Sequence, residues 1–324
     1  MVDGTLASVP PVNGALSQVL VGRSVDPTLA VWFDGKLRLP PPALDRRSML
    51  DLLDDWDAGL AAVDASLFEG STEPAAVLGA HLVAPLTYPG AVICAGANYV
   101  DHLEEMGIAR PVVPPPPFFF LKPSRTTVIG DQAPIPMPTG NDVRLDWEGE
   151  LAVVIAHRVR DLAADQVADH IAGYTIANDI SARGPFRRAA PLGPPFAFDW
   201  LGHKGQDGSC PIGPALVPAH LVEDPQNLRI LTRVNSELVQ DSSTAEMYVP
   251  IAELVAAASQ TMTLSPGDVI LTGTPAGVGS QRGRFLAVGD QVSVSIDGLG
   301  TLTNHVVRSP RSRQGDSSIF TVRG

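Results

Sequence analysis

The chain has 324 residues, of which 44% are hydrophobic and 18% are charged, a composition typical of a folded globular protein and not of a disordered one. Its formal net charge of −12 opposes binding to a nucleic-acid backbone or to an anionic membrane, since both require a basic partner. The two cysteines, Cys94 and Cys210, exclude a disulfide framework, and without a secretory signal or a membrane-spanning apolar run we expect a cytoplasmic protein.

The front of the chain, residues 1–88, is predicted to form a small α/β accessory domain. An apolar strand pattern at residues 29–33 is followed by an Asp-Gly turn and a second short strand, which together indicate a hairpin. Apolar residues recur at helical spacing within residues 45–67, so we expect one amphipathic helix or a pair of helices. Reactive side chains do not converge in this section, which places the predicted chemistry in a second domain, residues 89–324.

The second domain is predicted to be mostly β, because apolar runs alternate with glycine- and proline-rich turns and helical patterns are few. Predicted strands lie at residues 92–96, 118–123, 174–179, 269–272 and 291–296. A short helix is predicted at residues 100–107, where a glycine ends it. The proline run at residues 114–117 is interpreted as a stiff loop, with a partner-binding polyproline segment as the alternative. The predicted fold class is therefore α+β, mostly β.

His102 and Glu105 stand three residues apart on that short helix, so their side chains are neighbours on one surface. A carboxylate beside an imidazole orients the ring and raises its basicity, as in a general base. The Gly-Ala-Asn-Tyr sequence before the helix and the proline-rich loop after it are typical of a lid that carries a catalytic dyad. The alternative is an exposed histidine on a polar helix.

Glu148 and Glu150 stand two residues apart before an apolar run, residues 151–156, and share one face of a predicted strand. A run without alternation indicates a strand covered on both faces, where an unpaired carboxylate is costly, so we expect a cation between the two. Asp179, which ends another apolar strand, is a third candidate ligand, and a set of oxygen ligands favours Mg²⁺, Mn²⁺ or Ca²⁺ over zinc. The alternative is the solvated face of a half-exposed strand.

The second domain resembles the fumarylacetoacetate hydrolase family in five motifs that occur in the family's order within residues 85–308. The matching motifs are Asn98-Tyr99-x-x-His102-x-x-Glu105, Phe120-Leu121-Lys122-Pro123-Ser124, Glu148-Gly149-Glu150-Leu151, Asn178-Asp179-Ile180-Ser181-Ala182-Arg183 and Gly273-Thr274-Pro275-Ala276-Gly277-Val278-Gly279. The resemblance implies a mixed β-roll or barrel-like catalytic domain and a homodimer.

The resemblance also implies three sets of functional residues. The metal ligands are Glu148, Glu150 and Asp179. The catalytic residues are His102, Glu105 and Lys204. The substrate contacts are Lys122, Arg183 and Thr274. The implied cofactor is one divalent cation, with Mg²⁺ as the first choice and Mn²⁺ or Ca²⁺ as alternatives.

Two departures from the family pattern concern the substrate and the metal. Many relatives continue the fourth motif with an aspartate and a glutamine, whereas residues 184–188 of this chain read Gly-Pro-Phe-Arg-Arg. That edge of the pocket is therefore expected to be more apolar or more cationic, and Arg187 and Arg188 form either a clamp for a substrate carboxylate or a solvated turn. A fourth acidic ligand would fall near Ala95, which cannot coordinate, so a site with three carboxylates is expected.

The predicted substrate is a small 2-oxo or diketo acid whose carboxylate and keto oxygens share the metal. The first hypothesis for the reaction is hydrolysis of a carbon–carbon bond in an acylpyruvate or related 1,3-diketo acid, with water activated by the His–Glu dyad. The same site also suits a decarboxylase or a keto–enol isomerase of a 2-oxo acid. A non-catalytic, metal-stabilised binding protein is the third hypothesis.

Overall fold

The structure of the protein is a computed structural model that describes residues 9–21, 26–38, 48–68, 80–113, 115–139, 142–184 and 186–309. Its strands, in chain order, are β1 Leu16–Val21, β2 Thr28–Phe33, β3 Lys36–Arg38, β4 Ala80–Val83, β5 Val92–Gly96, β6 Phe118–Lys122, β7 Val128–Ile129, β8 Pro134–Met137, β9 Arg144–Asp146, β10 Gly149–Ile155, β11 Ile171–Asn178, β12 Ser181–Arg183, β13 Cys210–Pro218, β14 Arg229–Val234, β15 Glu237–Ser243, β16 Val269–Leu271, β17 Gln291–Ile296 and β18 Gly300–Arg308. Its α-helices are α1 Met49–Leu53, α2 Trp56–Phe68, α3 Val100–Glu105, α4 Ser124–Thr127, α5 Trp200–Lys204, α6 Ile251–Thr261 and α7 Gly279–Arg282. Among these residues, none of the helices has the length and apolar character needed to cross a membrane.

The strands form one large sheet, one small sheet and a two-stranded pair. The large sheet has the order β3-β2-β1-β13-β11-β10-β16-β5-β6, with β4 attached to β1 and β7 attached to β13. The small sheet has the order β15-β14-β17-β18-β8, and β9 pairs with β12. Most neighbours are antiparallel, but β5 with β16, β7 with β13 and β8 with β18 run parallel. The prediction of a mixed, mostly β fold is confirmed.

Most of the predicted elements are present in the structure. The predicted strands at residues 92–96, 118–123 and 291–296 are β5, β6 and β17, and the predicted short helix is α3. In the front section, β2 and β3 form the predicted hairpin, and α1 and α2 form the predicted pair of helices. Leu39 and residues 45–47, which these predictions include, lie outside the described residues.

One helix and one hairpin that pack against the core around β10 are not predicted from the sequence. Helix α6 buries Ile251, Leu254, Val255 and Ala258, which stand at the i, i+3, i+4 and i+7 spacing of one helix face. Strands β14 and β15 form a hairpin that turns at Asn235, whose φ of 56° is one that asparagine adopts more readily than most residues. The hairpin brings residues of the small sheet against β10.

Strand β10 lies inside the core and is buried along its whole length. On one face, Leu151, Val153 and Ile155 pack with apolar residues of α6 and of the small sheet. On the other face, Ala152 and Val154 pack with residues of α1, α2 and β1. The prediction of a strand covered on both faces is confirmed, and it explains why a carboxylate at the start of this strand is removed from water.

The front of the chain joins the large sheet through β1, which pairs with β13 and with β4. Helices α1 and α2 cover the face of the sheet that contains Ala152 and Val154. The division of the chain into an accessory domain, residues 1–88, and a catalytic domain, residues 89–324, stays a prediction.

Candidate functional site

Three carboxylates meet where β10 begins and β11 ends. The two strands are antiparallel with Gly149 opposite Asn178, so Glu148 and Glu150 lie beside Asp179 at one end of the pair. The backbone N–H of Asp179 donates to the carbonyl of Glu148 at 2.8 Å. One oxygen from each carboxylate lies within 4.8 Å of the other two, and all three side chains are buried. The structure therefore brings together the three residues predicted to bind a metal.

Two buried lysines face these carboxylates. Nζ of Lys204 lies 2.7 Å from an oxygen of Glu148 and 2.7 Å from an oxygen of Asp179. Nζ of Lys122 lies 2.5 Å from the other oxygen of Asp179 and donates a second hydrogen bond to the carbonyl of Ile180 at 3.1 Å. The positive charge expected beside the carboxylates is thus supplied in part by two ammonium groups.

Arg183 links Glu148 to a fourth buried carboxylate, Asp146, which the sequence analysis misses. Its Nη2 donates to Glu148 at 2.6 Å, and its Nε donates to Asp146 at 3.0 Å. Asp146 also accepts two backbone N–H groups at the start of α7, at 2.6 and 3.0 Å, so its position is fixed. The signal that could have identified Asp146 is its alternation with Glu148 and Glu150, because acidic residues at i, i+2 and i+4 of an extended segment point the same way.

The carboxylates differ in their electrostatic surroundings. Burial raises the pKa of Glu150 well above its ordinary value, and repulsion from Asp179 and Glu148 raises this pKa further. Burial also opposes the ionisation of Glu148, but Lys204 and Arg183 outweigh it and lower the pKa of that carboxyl below its usual range. Of these two carboxylates, Glu150 is the one whose negative charge is less compensated by the protein.

The donor set fits a divalent cation that prefers oxygen ligands. Such ions bind oxygen at roughly 2.0–2.6 Å, so one ion can span carboxylate oxygens that lie within 4.8 Å of one another. The cluster consists of carboxylates alone, which favours Mg²⁺, Mn²⁺ or Ca²⁺ over zinc. Glu148, Glu150 and Asp179 are the residues that would hold the ion, and the repulsion that raises the pKa of Glu150 is the repulsion that an ion would relieve.

His102 and Glu105 form the predicted pair on α3. Nδ1 of His102 lies 3.1 Å from Oε2 of Glu105, and their side chains are only 10% and 19% exposed. The other oxygen of Glu105 accepts the backbone N–H of Gly277 at 2.9 Å, so both carboxylate oxygens are engaged. The low exposure argues against the alternative of an exposed histidine on a polar helix.

The loop 273–277 connects this dyad to the carboxylates. At the start of the loop, the backbone N–H of Gly273 donates to Glu150 at 2.7 Å. At its other end, the backbone N–H of Gly277 donates to Glu105 of the dyad. The side-chain amide of Asn98, just before α3, donates to the carbonyl of Thr272 at 3.0 Å. Helix α3 and the loop are therefore anchored at the same place, the end of β16.

The remaining predicted site residues lie in two different environments. Thr274 is buried, and its hydroxyl donates to the carbonyl of Gly149 at 3.0 Å and accepts from the amide of Gln240 at 2.9 Å. Arg187 and Arg188 are exposed, which fits the solvated turn better than the carboxylate clamp. The substrate-binding roles of Lys122, Arg183 and Thr274 stay predictions.

Replacing Lys122 with methionine should lower the free energy of unfolding by about 3 kcal/mol, the lower end of the cost of breaking a buried ion pair, because Asp179 loses one of its two ammonium partners and keeps Lys204. Urea unfolding at neutral pH measures this change. The control is Arg229→Met, whose ion pair with Asp241 is largely exposed and screened by water, so this variant should unfold like the wild type. Equal effects of the two substitutions would contradict the importance of the buried pair.

Comparisons with known proteins give a consistent result. A family model described as fumarylacetoacetate (FAA) hydrolase, C-terminal, matches residues 91–307. The chain is 42% identical over 228 residues to a mitochondrial oxaloacetate tautomerase of Xenopus laevis, a match that covers 70% of this chain and 68% of that protein.

Solved structures extend the similarity beyond the residues that the family model matches. Maleylpyruvate hydrolase from Sphingobium sp. SYK-6, in complex with manganese(II) ion and pyruvate, is similar with a TM-score of 0.72 and 26% identity, over 91% of this chain and 100% of that chain. A 5-carboxymethyl-2-hydroxymuconate delta-isomerase from Mycobacterium smegmatis is similar with a TM-score of 0.69 and 34% identity, over 92% of this chain and 100% of that chain.

Proposed function

This chain belongs to the fumarylacetoacetate hydrolase family, and we propose that it is a divalent-metal-dependent enzyme that transfers a proton at the carbon next to the keto group of a small 2-oxo acid. The observation that carries the proposal is that one loop, residues 273–277, donates hydrogen bonds both to the cluster of three buried carboxylates and to the buried imidazole–carboxylate pair. The named relatives are a tautomerase, a hydrolase and an isomerase, three reaction types that share the development of negative charge on an oxygen next to a reacting carbon.

The chemistry divides between the cofactor and the side chains. A divalent ion bound by the three carboxylates would supply a Lewis acid that polarises the carboxylate and keto oxygens of the substrate. His102 acts as the base, because Glu105 at Nδ1 favours the tautomer that keeps a proton on that nitrogen and leaves the lone pair on Nε2. The carboxylate of Glu105 then stabilises the imidazolium that forms. Lys204 places positive charge among the carboxylates, which favours the negative charge that develops on the substrate.

Keto–enol tautomerisation of oxaloacetate, or of a similar dicarboxylic 2-oxo acid, is the first candidate reaction. The relative from Xenopus laevis carries the name oxaloacetate tautomerase at 42% identity. In this reaction His102 removes a proton from the carbon next to the keto group, and the oxygen of the resulting enolate gains a proton to give the enol, so that no carbon–carbon bond breaks and no water is consumed. The burial of His102 suits a base that exchanges its proton with a substrate instead of with bulk water.

Hydrolysis of an acylpyruvate, the reaction that the sequence analysis predicts, is the second candidate. The observation that favours it is the similarity to maleylpyruvate hydrolase in complex with manganese(II) ion and pyruvate. In this reaction His102 removes a proton from water, and the water oxygen bonds to the distal carbonyl carbon. The carbon–carbon bond then breaks, and the released enolate takes a proton at carbon from the imidazolium of His102, which gives pyruvate and a carboxylic acid. The two candidates therefore differ in whether oxygen from water enters a product.

The test is an assay of both reactions with the same purified protein. With Mg²⁺ or Mn²⁺ present, the protein should accelerate the conversion of enol-oxaloacetate to its keto form beyond the rate with the metal alone, and EDTA should remove the acceleration. An acylpyruvate incubated in ¹⁸O-water reports hydrolysis through label in the carboxylic acid. Release of carbon dioxide would indicate a decarboxylase, and metal binding without turnover of any of these acids would contradict the proposal and favour a metal-stabilised binding protein.

We propose that the protein is a cytoplasmic homodimer and that its front section, residues 1–88, supports the catalytic domain without supplying residues to its chemistry. What supports the last of these is that the carboxylate cluster and the dyad, as far as the chain is described, contain no residue of the front section.

A further inference from the structure

We propose that Gln240 and Thr274 are positioning residues that fix the backbone between Glu148 and Glu150 and thereby set the affinity of the site for its divalent ion. This inference rests on the proposed metal-dependent function. Neither residue belongs to the carboxylate cluster, and both act through Gly149, the residue that separates the two glutamates.

The edge of β10 that pairs with β16 loses its strand partner where β16 ends. Strand β16 pairs with β10 through Ala152, Val153 and Val154, and the backbone N–H of Thr272 then donates to the carbonyl of Leu151 at 3.1 Å. Two residues before Leu151, at the start of β10, the backbone groups of Gly149 point toward the same edge, because alternate residues of a strand form their hydrogen bonds on the same side. The strand that would satisfy them has already ended.

Two side chains take the place of that missing strand. The N–H of Gly149 donates to Oε1 of Gln240 at 3.0 Å, and the carbonyl of Gly149 accepts from the hydroxyl of Thr274 at 3.0 Å. The amide of Gln240 also donates to the hydroxyl of Thr274 at 2.9 Å and to the carbonyl of Pro275 at 2.8 Å. Both N–H groups of the Gln240 amide donate hydrogen bonds, and its oxygen accepts one. The backbone of Gly149 is therefore held at both its N–H and its C=O.

The absence of a side chain at position 149 allows this close contact between the two sheets. A Cβ on Gly149 would overlap Oγ1 of Thr232 and crowd the carbonyl oxygen of the Gln240 amide. Gln240 lies on β15 of the small sheet, so the small sheet contacts Gly149, the residue of the large sheet that separates the two glutamates. A shift of the backbone at Gly149 would change the distance between the carboxylates of Glu148 and Glu150.

The arrangement distinguishes this role from a direct contact between Thr274 and the substrate. A threonine hydroxyl carries a single proton, and that of Thr274 is already donated to Gly149. The Thr274 hydroxyl therefore stabilises the positions of Glu148 and Glu150 through the backbone between them. Loss of a residue that orients metal ligands in this way typically lowers metal affinity about 10- to 100-fold.

The experiment measures binding of Mn²⁺ by calorimetry, without substrate, to matched variants. Thr274→Val removes the hydroxyl with little change of shape and should weaken Mn²⁺ binding by about 10- to 100-fold, while Thr274→Ser should restore it. The control is Thr272→Val, because the Thr272 hydroxyl donates to the carbonyl of Leu151 at 2.9 Å, a similar bond on the same edge of β10 that does not lie between two ligands. Its Mn²⁺ affinity should equal that of the wild type.

The outcomes separate this inference from the proposed function. Wild-type affinity in Thr274→Val, or an equal loss in Thr272→Val, would overturn the positioning role, and Gln240→Met tests the same point should Thr274→Val fail to fold. A Thr274→Val variant that binds Mn²⁺ normally but loses turnover would assign Thr274 to the substrate. A wild type that binds Mn²⁺ but turns over none of the candidate acids would contradict the proposed function alone.

Discussion

Replacing Glu150 with glutamine should weaken binding of Mg²⁺ or Mn²⁺ by more than about 100-fold, since loss of a ligand exceeds the 10- to 100-fold cost of losing a residue behind one. Turnover at metal concentrations that saturate the wild type should fall accordingly. Glutamine has the same shape as glutamate, and its oxygen can still accept the N–H of Gly273 that Glu150 accepts at 2.7 Å. The loss of function should therefore occur without a rearranged site.

The same substitution should leave the metal-free protein at least as stable as the wild type. Glu150 is buried beside Asp179 and Glu148, and repulsion between these charges is removed when one of them becomes neutral. The measurement is the melting temperature with and without Mn²⁺. The wild type should show a metal-dependent increase, and Glu150→Gln should melt at the same temperature in both conditions.

Asp268→Asn is the matched control for this experiment. Asp268 is also a buried carboxylate, but it accepts the backbone N–H groups of Ala91 and Ser265 just before β16 and does not belong to the carboxylate cluster. Its variant should keep the full metal-dependent increase in melting temperature even if its overall stability changes. A Glu150→Gln variant that retains this increase would show that Glu150 is not a ligand.

The sequence predicts those parts of the site that local pattern determines. Glu148 and Glu150 are recognisable because the period of a strand puts residues at i and i+2 on one face, and the apolar run after them indicates that this face is buried. His102 and Glu105 are recognisable because a helix puts residues at i and i+3 together. The strand pattern makes Asp179 only a candidate third ligand, and the family resemblance was needed to group it with the two glutamates, since the pairing of β10 with β11 is a tertiary contact.

The residues that the sequence analysis missed depend on contacts between distant parts of the chain. Gln240 stands on a strand of the small sheet, and nothing in its neighbourhood in the sequence shows that it meets Gly149. Asp146 could have been included from its alternation with the glutamates, but its pairing with Arg183 depends on how β9 and β12 meet. Helix α6 has ordinary apolar spacing, and its omission was an error of pattern reading, not a conflict between local and tertiary structure.

The carboxylate cluster and the His102–Glu105 dyad have different roles, so substitutions in each should have different effects. The cluster holds three carboxylates close together inside the core, and substitution of one of them should mainly change the affinity for the divalent ion. The dyad lies on α3, and its link to the carboxylate cluster is indirect: the Glu105 side chain accepts the N–H of Gly277, and the other end of the loop 273–277 donates to Glu150. A substitution in the dyad should therefore lower turnover and leave the affinity for the ion unchanged.

His102→Asn should lower kcat by about 100- to 10,000-fold, the usual contribution of a general base, while Mn²⁺ binding measured by calorimetry stays at the wild-type value. Glu105→Gln should cause a smaller loss, because the glutamine oxygen can still accept one of the two hydrogen bonds that Glu105 accepts, from His102 or from Gly277. The neutral amide would no longer stabilise the protonated imidazole, so its effect should appear in kcat more than in KM.

The control for the dyad is His157→Asn, which removes an imidazole that lies 3.6 Å from Asp57 on α2, in a contact that is largely exposed. Because this pair is outside the site, the variant should keep wild-type turnover and metal binding. Unchanged turnover in His102→Asn would exclude His102 as the base for either candidate reaction. A loss of Mn²⁺ affinity in the same variant would instead show that the imidazole supports the carboxylates, and the separation between dyad and metal ligands drawn from the loop contacts would then be wrong.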